Sequence, residues 1–179
     1  MSRLLYLKND SKGTYLTYWD IEKNEKVLDY ESHSGIFYPQ WSPDGKHFTF
    51  IDSTGKSLAH HDELIISDWD GNLSQLTDFS AYGDFAYING YSWSPDGKYI
   101  ALTFSTSLVK DLHKDVIRYL FVINLETGEI TDYCVPIAGA EAPVWSPNSQ
   151  YVAVNSQNKC CSFSNTIIFN IQNGHAAET

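Results

Sequence analysis

Cysteine is scarce: only Cys134, Cys160 and Cys161 occur among the 179 residues. An odd count with two neighbours adjacent is no disulfide framework. No Cys-x-x-Cys or Cys-x-His spacing marks a zinc site, so the three read as free thiols in a reducing compartment. Basic residues are also few, with 12 Lys and Arg against 22 Asp and Glu and a net charge of −10. Tracking a phosphate backbone needs a Lys/Arg stripe, and so does adhesion to anionic lipid; neither nucleic acid nor a membrane surface is an expected partner. No apolar run approaches the length of a membrane span. The run Leu4-Leu5-Tyr6-Leu7 is too short for a signal-peptide core, so the chain as written is expected in the cytoplasm, or in the periplasm or outside the cell if a signal has been lost. Gly-x-Ser-x-Gly does not occur, which removes the nucleophile elbow of a serine hydrolase. Helical periodicity is confined to Val109–Val116, which lies between two strand-like segments and reads as a loop with at most one turn.

What the chain does have is aromatic and repetitive. Tyr (12), Phe (9) and Trp (5) suit pleated, half-buried surfaces and favour strands. Trp41-Ser42-Pro43-Asp44-Gly45-Lys46 recurs as Trp93-Ser94-Pro95-Asp96-Gly97-Lys98, and again, altered, as Trp145-Ser146-Pro147-Asn148-Ser149-Gln150. The three tryptophans stand 52 residues apart. Each copy is a turn with a mechanism: Pro presets φ, Asp suits the next position, and Gly supplies the positive φ that follows. Ser149 in place of Gly predicts a strained or reshaped third turn. Each turn leads into alternating large and small residues, Phe48-Thr49-Phe50, Ile100-Ala101-Leu102 and Val152-Ala153-Val154. The small position is expected where another sheet packs closely, and the tryptophans are expected at equivalent buried positions.

A second hairpin completes each unit, through Trp69-Asp70-Gly71-Asn72, Leu125-Glu126-Thr127-Gly128 and Gln172-Asn173-Gly174. Four strands, a to d, recurring at this period are a propeller blade. The N-terminal unit supplies b, c and d, and the last supplies a, b and c, with His175–Thr179 poorly suited to a fourth strand. The expected fold is all-β, a partial β-propeller of about 3.5 four-stranded antiparallel blades in a single domain, with blades near residues 3–30, 37–78, 91–133 and 142–179.

On these motifs, and on the hairpin that closes with Leu76-Thr77, the chain resembles the TolB-like, or PD40, β-propeller repeat family. The resemblance covers nearly the whole chain. It implies a propeller that serves either as a binding module or as the propeller part of a larger hydrolase, prolyl-oligopeptidase-like, or of a lyase. The expected function is a binding or protein-interaction module without catalytic activity of its own, with the enzyme-associated role as the alternative.

Neither a catalytic constellation nor a cofactor or metal site is expected. Asp68-Trp69-Asp70-Gly71 resembles the start of a calcium loop but lacks the Glu that should follow, and reads as a turn. In a propeller the b–c and d–a connections share one face, and here they are long: Glu31 to Ile36, Asp52 to Asp62, Phe79 to Gly90, Ser105 to Ile117 and Ser156 to Ser164. Binding residues commonly ride on such loops. The candidate ligand-binding residues are therefore His33, His60, His61, Asp62, Tyr82, Asp84, Tyr87 and His113, with the aromatics placed to stack on a sugar, peptide or protein. The expected partners are a second copy completing the propeller, and a protein or small molecule.

Overall fold

The computed structural model describes residues 2–32, 34–56, 59–82, 85–107, 117–133, 141–157 and 164–178. Its described residues are almost wholly strand and turn, and they fall into two compact units, Met1–Asp84 and Phe85–Thr179.

In the first unit, β1 (Arg3–Asn9), β2 (Thr14–Asp20) and β3 (Glu25–Ser32) form an antiparallel meander that supplies strands b, c and d of the first blade. The next blade is β4 (Ile36–Trp41), β5 (Phe48–Lys56), β6 (Ala59–Ser67) and β7 (Leu73–Gln75). Alternation puts Leu16 and Tyr18 of β2 on one face, where they meet Phe48 and Phe50 of β5 in a fully buried cluster. Tyr18 sits at its centre, edge-on to Trp41 and Phe48, each at 5.4 Å. Arg3 closes the margin. Its guanidinium lies 3.5 Å from the centroid of the Trp69 ring, donates to the Trp69 carbonyl (2.8 Å) and to the Tyr18 hydroxyl, and pairs with Asp20 at 3.4 Å. Both charged side chains are more than nine-tenths buried.

In the second unit, β8 (Phe85–Trp93), β9 (Tyr99–Ser107), β10 (Ile117–Asn124) and β11 (Ile130–Asp132) form one blade. The other is β12 (Val144–Trp145), β13 (Tyr151–Gln157), β14 (Ser164–Asn170) and β15 (Ala176–Glu178). Ala101, Leu120 and Val122 of the former pack against Val152, Val154 and Phe169 of the latter. Ala101 is fully buried there, as expected of the small position in the alternation. The last blade is complete: Ala176–Glu178 pairs with Ile167–Phe169. Strand pairing needs only backbone, and the Asn170 turn with Gly174 at φ 70° returns the chain antiparallel whatever the side chains that follow.

The repeated turns share one hydrogen-bond plan. In the first copy Ser42 N bonds the His47 carbonyl (2.9 Å), Gly45 N bonds the Ser42 carbonyl (2.9 Å), and His47 N donates to Ser42 Oγ (3.0 Å). Ser42 Oγ in turn donates to Asp44, which accepts the Lys46 N–H. Ser94 and Ser146 repeat this pattern. The third turn is not reshaped: Ser149 adopts φ 58°, beside 68° at Gly45 and 72° at Gly97. It does so while accepting the Asp96 N–H on its hydroxyl (3.0 Å), a bond from one blade to the next that Gly could not make.

The tryptophans are equivalent but half-buried rather than buried. Each ends strand a, so its ring lies at the margin of the packing between blades: Trp41 meets Tyr18 of the preceding blade, and Trp145 stacks on Tyr99 at 6.1 Å.

Candidate functional site

The expected b–c loop Asp52 to Asp62 is largely strand, while those after Ser105 and Ser156 fall mostly outside the described residues. In the second blade β5 and β6 stay paired to Lys56↔Ala59, so His60, His61, Asp62 and Glu63 lie on β6 and not on a loop. Polar residues hid this extension, because a hairpin whose buried side chains are themselves polar shows no apolar alternation.

Register then sorts the cluster by face. Ser53 faces Asp62 across the pair, and His60 is two residues along on the same side. Ser53 Oγ donates to Asp62 Oδ1 at 2.5 Å, and His60 Nε2 lies 3.0 Å from the same oxygen. The carboxylate stands in the middle of this row. Asp62 therefore accepts from both neighbours, and the imidazole is not set against the hydroxyl as a base must be to activate it.

The opposite face carries Asp52, Glu63 and His61. Glu63 Oε2 accepts from Thr77 Oγ1 (2.6 Å) and Oε1 from Phe79 N (2.9 Å), while Thr77 Oγ1 accepts the Leu64 N–H (2.9 Å). These bonds pin the chain after β7 to β6, and they give the Leu-Thr that closes the repeat a structural meaning. Burial raises the Glu63 pKa above the usual carboxylate range, partly offset by the Thr77 and Phe79 hydrogen bonds. Asp52 accepts the Tyr30 hydroxyl on Oδ2 (2.6 Å). Its other oxygen, Oδ1, is buried with no hydrogen-bond partner. Burial, and then the bond to Asp52, push the Tyr30 phenol well up.

Tyr82 lies in the 3-10 turn Ser80–Tyr82, which Glu63 anchors through Phe79; its ring is exposed and edge-on to Phe79 at 5.8 Å. Tyr87 belongs to the second unit. It is on β8 rather than in a loop, exposed and stacked on Phe85. His33, Asp84 and His113 lie outside the described residues, as do the three cysteines and residues 109–116. Phe37 and Tyr38 escaped sequence reasoning. A bulge in β4, with Tyr38 at φ 50°, turns both rings out to solvent at the end of the blade that carries Asp52. The Tyr-Pro pair at residues 38–39, interrupting an apolar strand, was the available signal.

Among the described residues no group of three or more His, Cys, Asp or Glu is placed to hold a metal. Asp68, the first residue of the calcium-like loop, caps its own turn: it accepts from Asp70 N, Asn72 N and the Asn72 side chain. The Asn72 bonds hold its pKa down. Asp20, Asn124 and Asn170 cap the corresponding turns in the same way.

No family model matches the chain. Over 108 residues it is 29% identical to the Tol-Pal system protein TolB of Alcanivorax borkumensis, a stretch that is 58% of this chain and 23% of that protein. The crystal structure of TolB from Acinetobacter baumannii superposes with 98% of the chain at a TM-score of 0.64 and 18% identity. The fold and the repeat are those of the TolB-like β-propellers. The chain covers 40% of that TolB structure. An acylaminoacyl peptidase from Pyrococcus horikoshii matches 99% of the chain, at a TM-score of 0.66 and 11% identity, over 30% of its own length. Blades of this fold thus occur both in a Tol-Pal system protein and in a peptidase. Among the described residues no helix is long and apolar enough to cross a membrane.

Proposed function

We propose that this chain is a protein-binding module of TolB-like blades, without catalysis of its own, and that the end of its second blade is a contact surface. One observation carries this reading. Phe37 and Tyr38, adjacent aromatic rings, stand exposed together at the end of the blade, where the bulge in β4 turns them out to solvent. His60, His61 and Tyr82 lie at the same end of this blade, with Asp62 buried behind them, and Tyr87 is a separate exposed contact residue of the second unit. The internal bonds of Asp62 and Glu63 favour a rigid polar platform over a set of reacting groups. Self-association is part of the proposal: β1 is an edge strand with Leu4 and Tyr6 exposed, and a second copy is one polypeptide that could cover it.

A photoreactive phenylalanine in place of Tyr38 or Tyr82 tests the reading in the native cell. The expected outcome is a discrete adduct with a second polypeptide, not formed from the exposed control position Ile21. No adduct from either position, or hydrolysis of model peptides by the pure chain, would overturn it. Ultracentrifugation at micromolar concentration settles self-association.

A further inference from the structure

Each blade closes with a strand d, and these strands differ in length. In the second and third blades, β7 and β11 have three residues each, while β3 runs for eight. Among the described strands β3 pairs with β2 alone and ends its sheet. A strand a in this blade would lie beside β1, as β4 lies beside β5 and β8 beside β9, so the outer edge of β3 is the rim of the blade whatever precedes β1. A long edge strand is a template for another strand, and short edges are one way to avoid that.

Register decides which backbone groups face outward. Ile21 N bonds the Ser2 carbonyl (3.0 Å) and Asp10 N the Gly13 carbonyl (3.1 Å), so the hydrogen-bonded pairs of the β1–β2 ladder fall on odd-numbered residues of β2. Such pairs alternate along an antiparallel ladder. Thr14, Leu16 and Tyr18 therefore bond β3, at Ser32, Tyr30 and Leu28. The residues between these, Asp29 and Glu31, turn both N–H and C=O away from β2. The bulge of this pair comes earlier, before Leu28, so the run Leu28–Ser32 is in unbroken register.

The side chains define what fits there. Asp29 and Glu31 share one face of β3. Asp29 is drawn back over β2 by Thr17 Oγ1 (3.0 Å), and Glu31 by the Tyr15 hydroxyl (3.2 Å). Lys26 reaches Asp29 at 2.7 Å, one cation against two carboxylates. On the other face Leu28 and Tyr30 are half-buried against the core of the first unit. An added strand thus meets negative charge on one side and apolar surface on the other.

We propose that the Leu28–Ser32 edge is a strand-addition site for an extended basic segment of another polypeptide, with Lys or Arg at alternate positions on the Asp29–Glu31 side and apolar residues between them. A second copy of β3 does not fit. Paired edge to edge, it would set Asp29 and Glu31 against their own counterparts, and like charges facing across a ladder are unfavourable. The site is separate from the Phe37–Tyr38 surface and adds a partner chemistry that surface does not specify.

The probe is a fluorescein-labelled peptide of alternating Lys and Val, about eight residues long, titrated with the full chain and read by anisotropy. Saturable binding with a Kd on the order of 100 µM is expected. A peptide of alternating Lys and Pro has the same charge but lacks half the N–H groups of a strand, and should not bind. Asp29→Pro removes an outward N–H from a residue that gives β2 no hydrogen bond, and should weaken binding more than about tenfold. Glu31→Lys, at an exposed position, should weaken it about fivefold. Circular dichroism confirms folding, and if Asp29→Pro does not fold, Glu31→Lys and the proline peptide decide. Equal binding of the two peptides, binding indifferent to Glu31→Lys, or a dimer that Asp29→Pro abolishes would overturn the proposal. Adducts at Tyr38 that persist in such a result would leave the module reading standing.

Discussion

Ser149 offers a measurement in which two opposed effects can be separated. Its backbone is left-handed, at φ 58°, where an L side chain costs about 1–2 kcal/mol. Its hydroxyl accepts the Asp96 N–H at 3.0 Å, a bond worth about 0.5–1.5 kcal/mol net. Ser149→Gly relieves the strain and loses the bond. It also loosens the unfolded chain, by about 0.4–1 kcal/mol. The sum lies near zero, and Ser149→Gly is expected within about 0.5 kcal/mol of the parent. Ser149→Ala keeps the strain and loses the bond, and should be destabilised by about 1 kcal/mol. The two variants lack the same hydroxyl, so the gap between them reports the left-handed backbone strain less the unfolded-state entropy of glycine. Gly45→Ala is the control. At φ 68° a Cβ there meets nothing within 4 Å, so its cost should match the gap between the Ser149 variants. Urea denaturation at equal m-values is the assay. Alanine as stable as glycine at 149 would mean that the turn relaxes, and would refute the reasoning.

Two further perturbations test the first unit. Arg3→Ala strands a buried Asp20 and should cost about 3–5 kcal/mol by denaturation, with Arg3→Lys recovering little because an ammonium cannot lie flat on Trp69; a fully stable Arg3→Lys would discount the stacking. Burial raises the Glu63 pKa, so the stability this group contributes is present in full below its unfolded pKa of about 4.3 and is lost as pH rises through the higher folded value. Glu63→Gln should therefore flatten the fall in melting temperature between about pH 4 and pH 7, and parallel curves for the two proteins would show that Glu63 does not titrate in that range.

The blades were legible because their turns are written in residues with few alternative uses. Pro43-Asp44-Gly45 can hardly be anything but a turn, and the 52-residue spacing of Trp41, Trp93 and Trp145 fixes the repeat. The hairpin ends were not legible. Asp52 to Asp62 reads as loop because its pairing is carried by backbone while its side chains are polar on both faces. The final strand was missed for a similar reason: Ala176 and Ala177 show no pattern, and only the turn before them dictates their path. In the candidate site the residue types were visible, but register alone reveals that Asp62 sits between Ser53 and His60, or that Asp52 and Glu63 share a face. Arg3 over Trp69 joins residues 66 apart, and no local pattern announces such a pair.

The repeated serine of the a–b turns has a kinetic consequence. Ser42, Ser94 and Ser146 each tie their turn to a residue five positions on, through backbone and hydroxyl together. Bringing together groups so near in sequence costs little loop entropy and takes under about 100 ns, far less than the docking of one sheet on another. Each blade therefore reaches its bend before it has a neighbour to pack against. A unit that carries its own bend keeps its shape when the gene segment encoding it is duplicated. The copies are then free to diverge on their sheet faces, where Gly90 and Ser92 in one blade have become Ala142 and Val144 in the next.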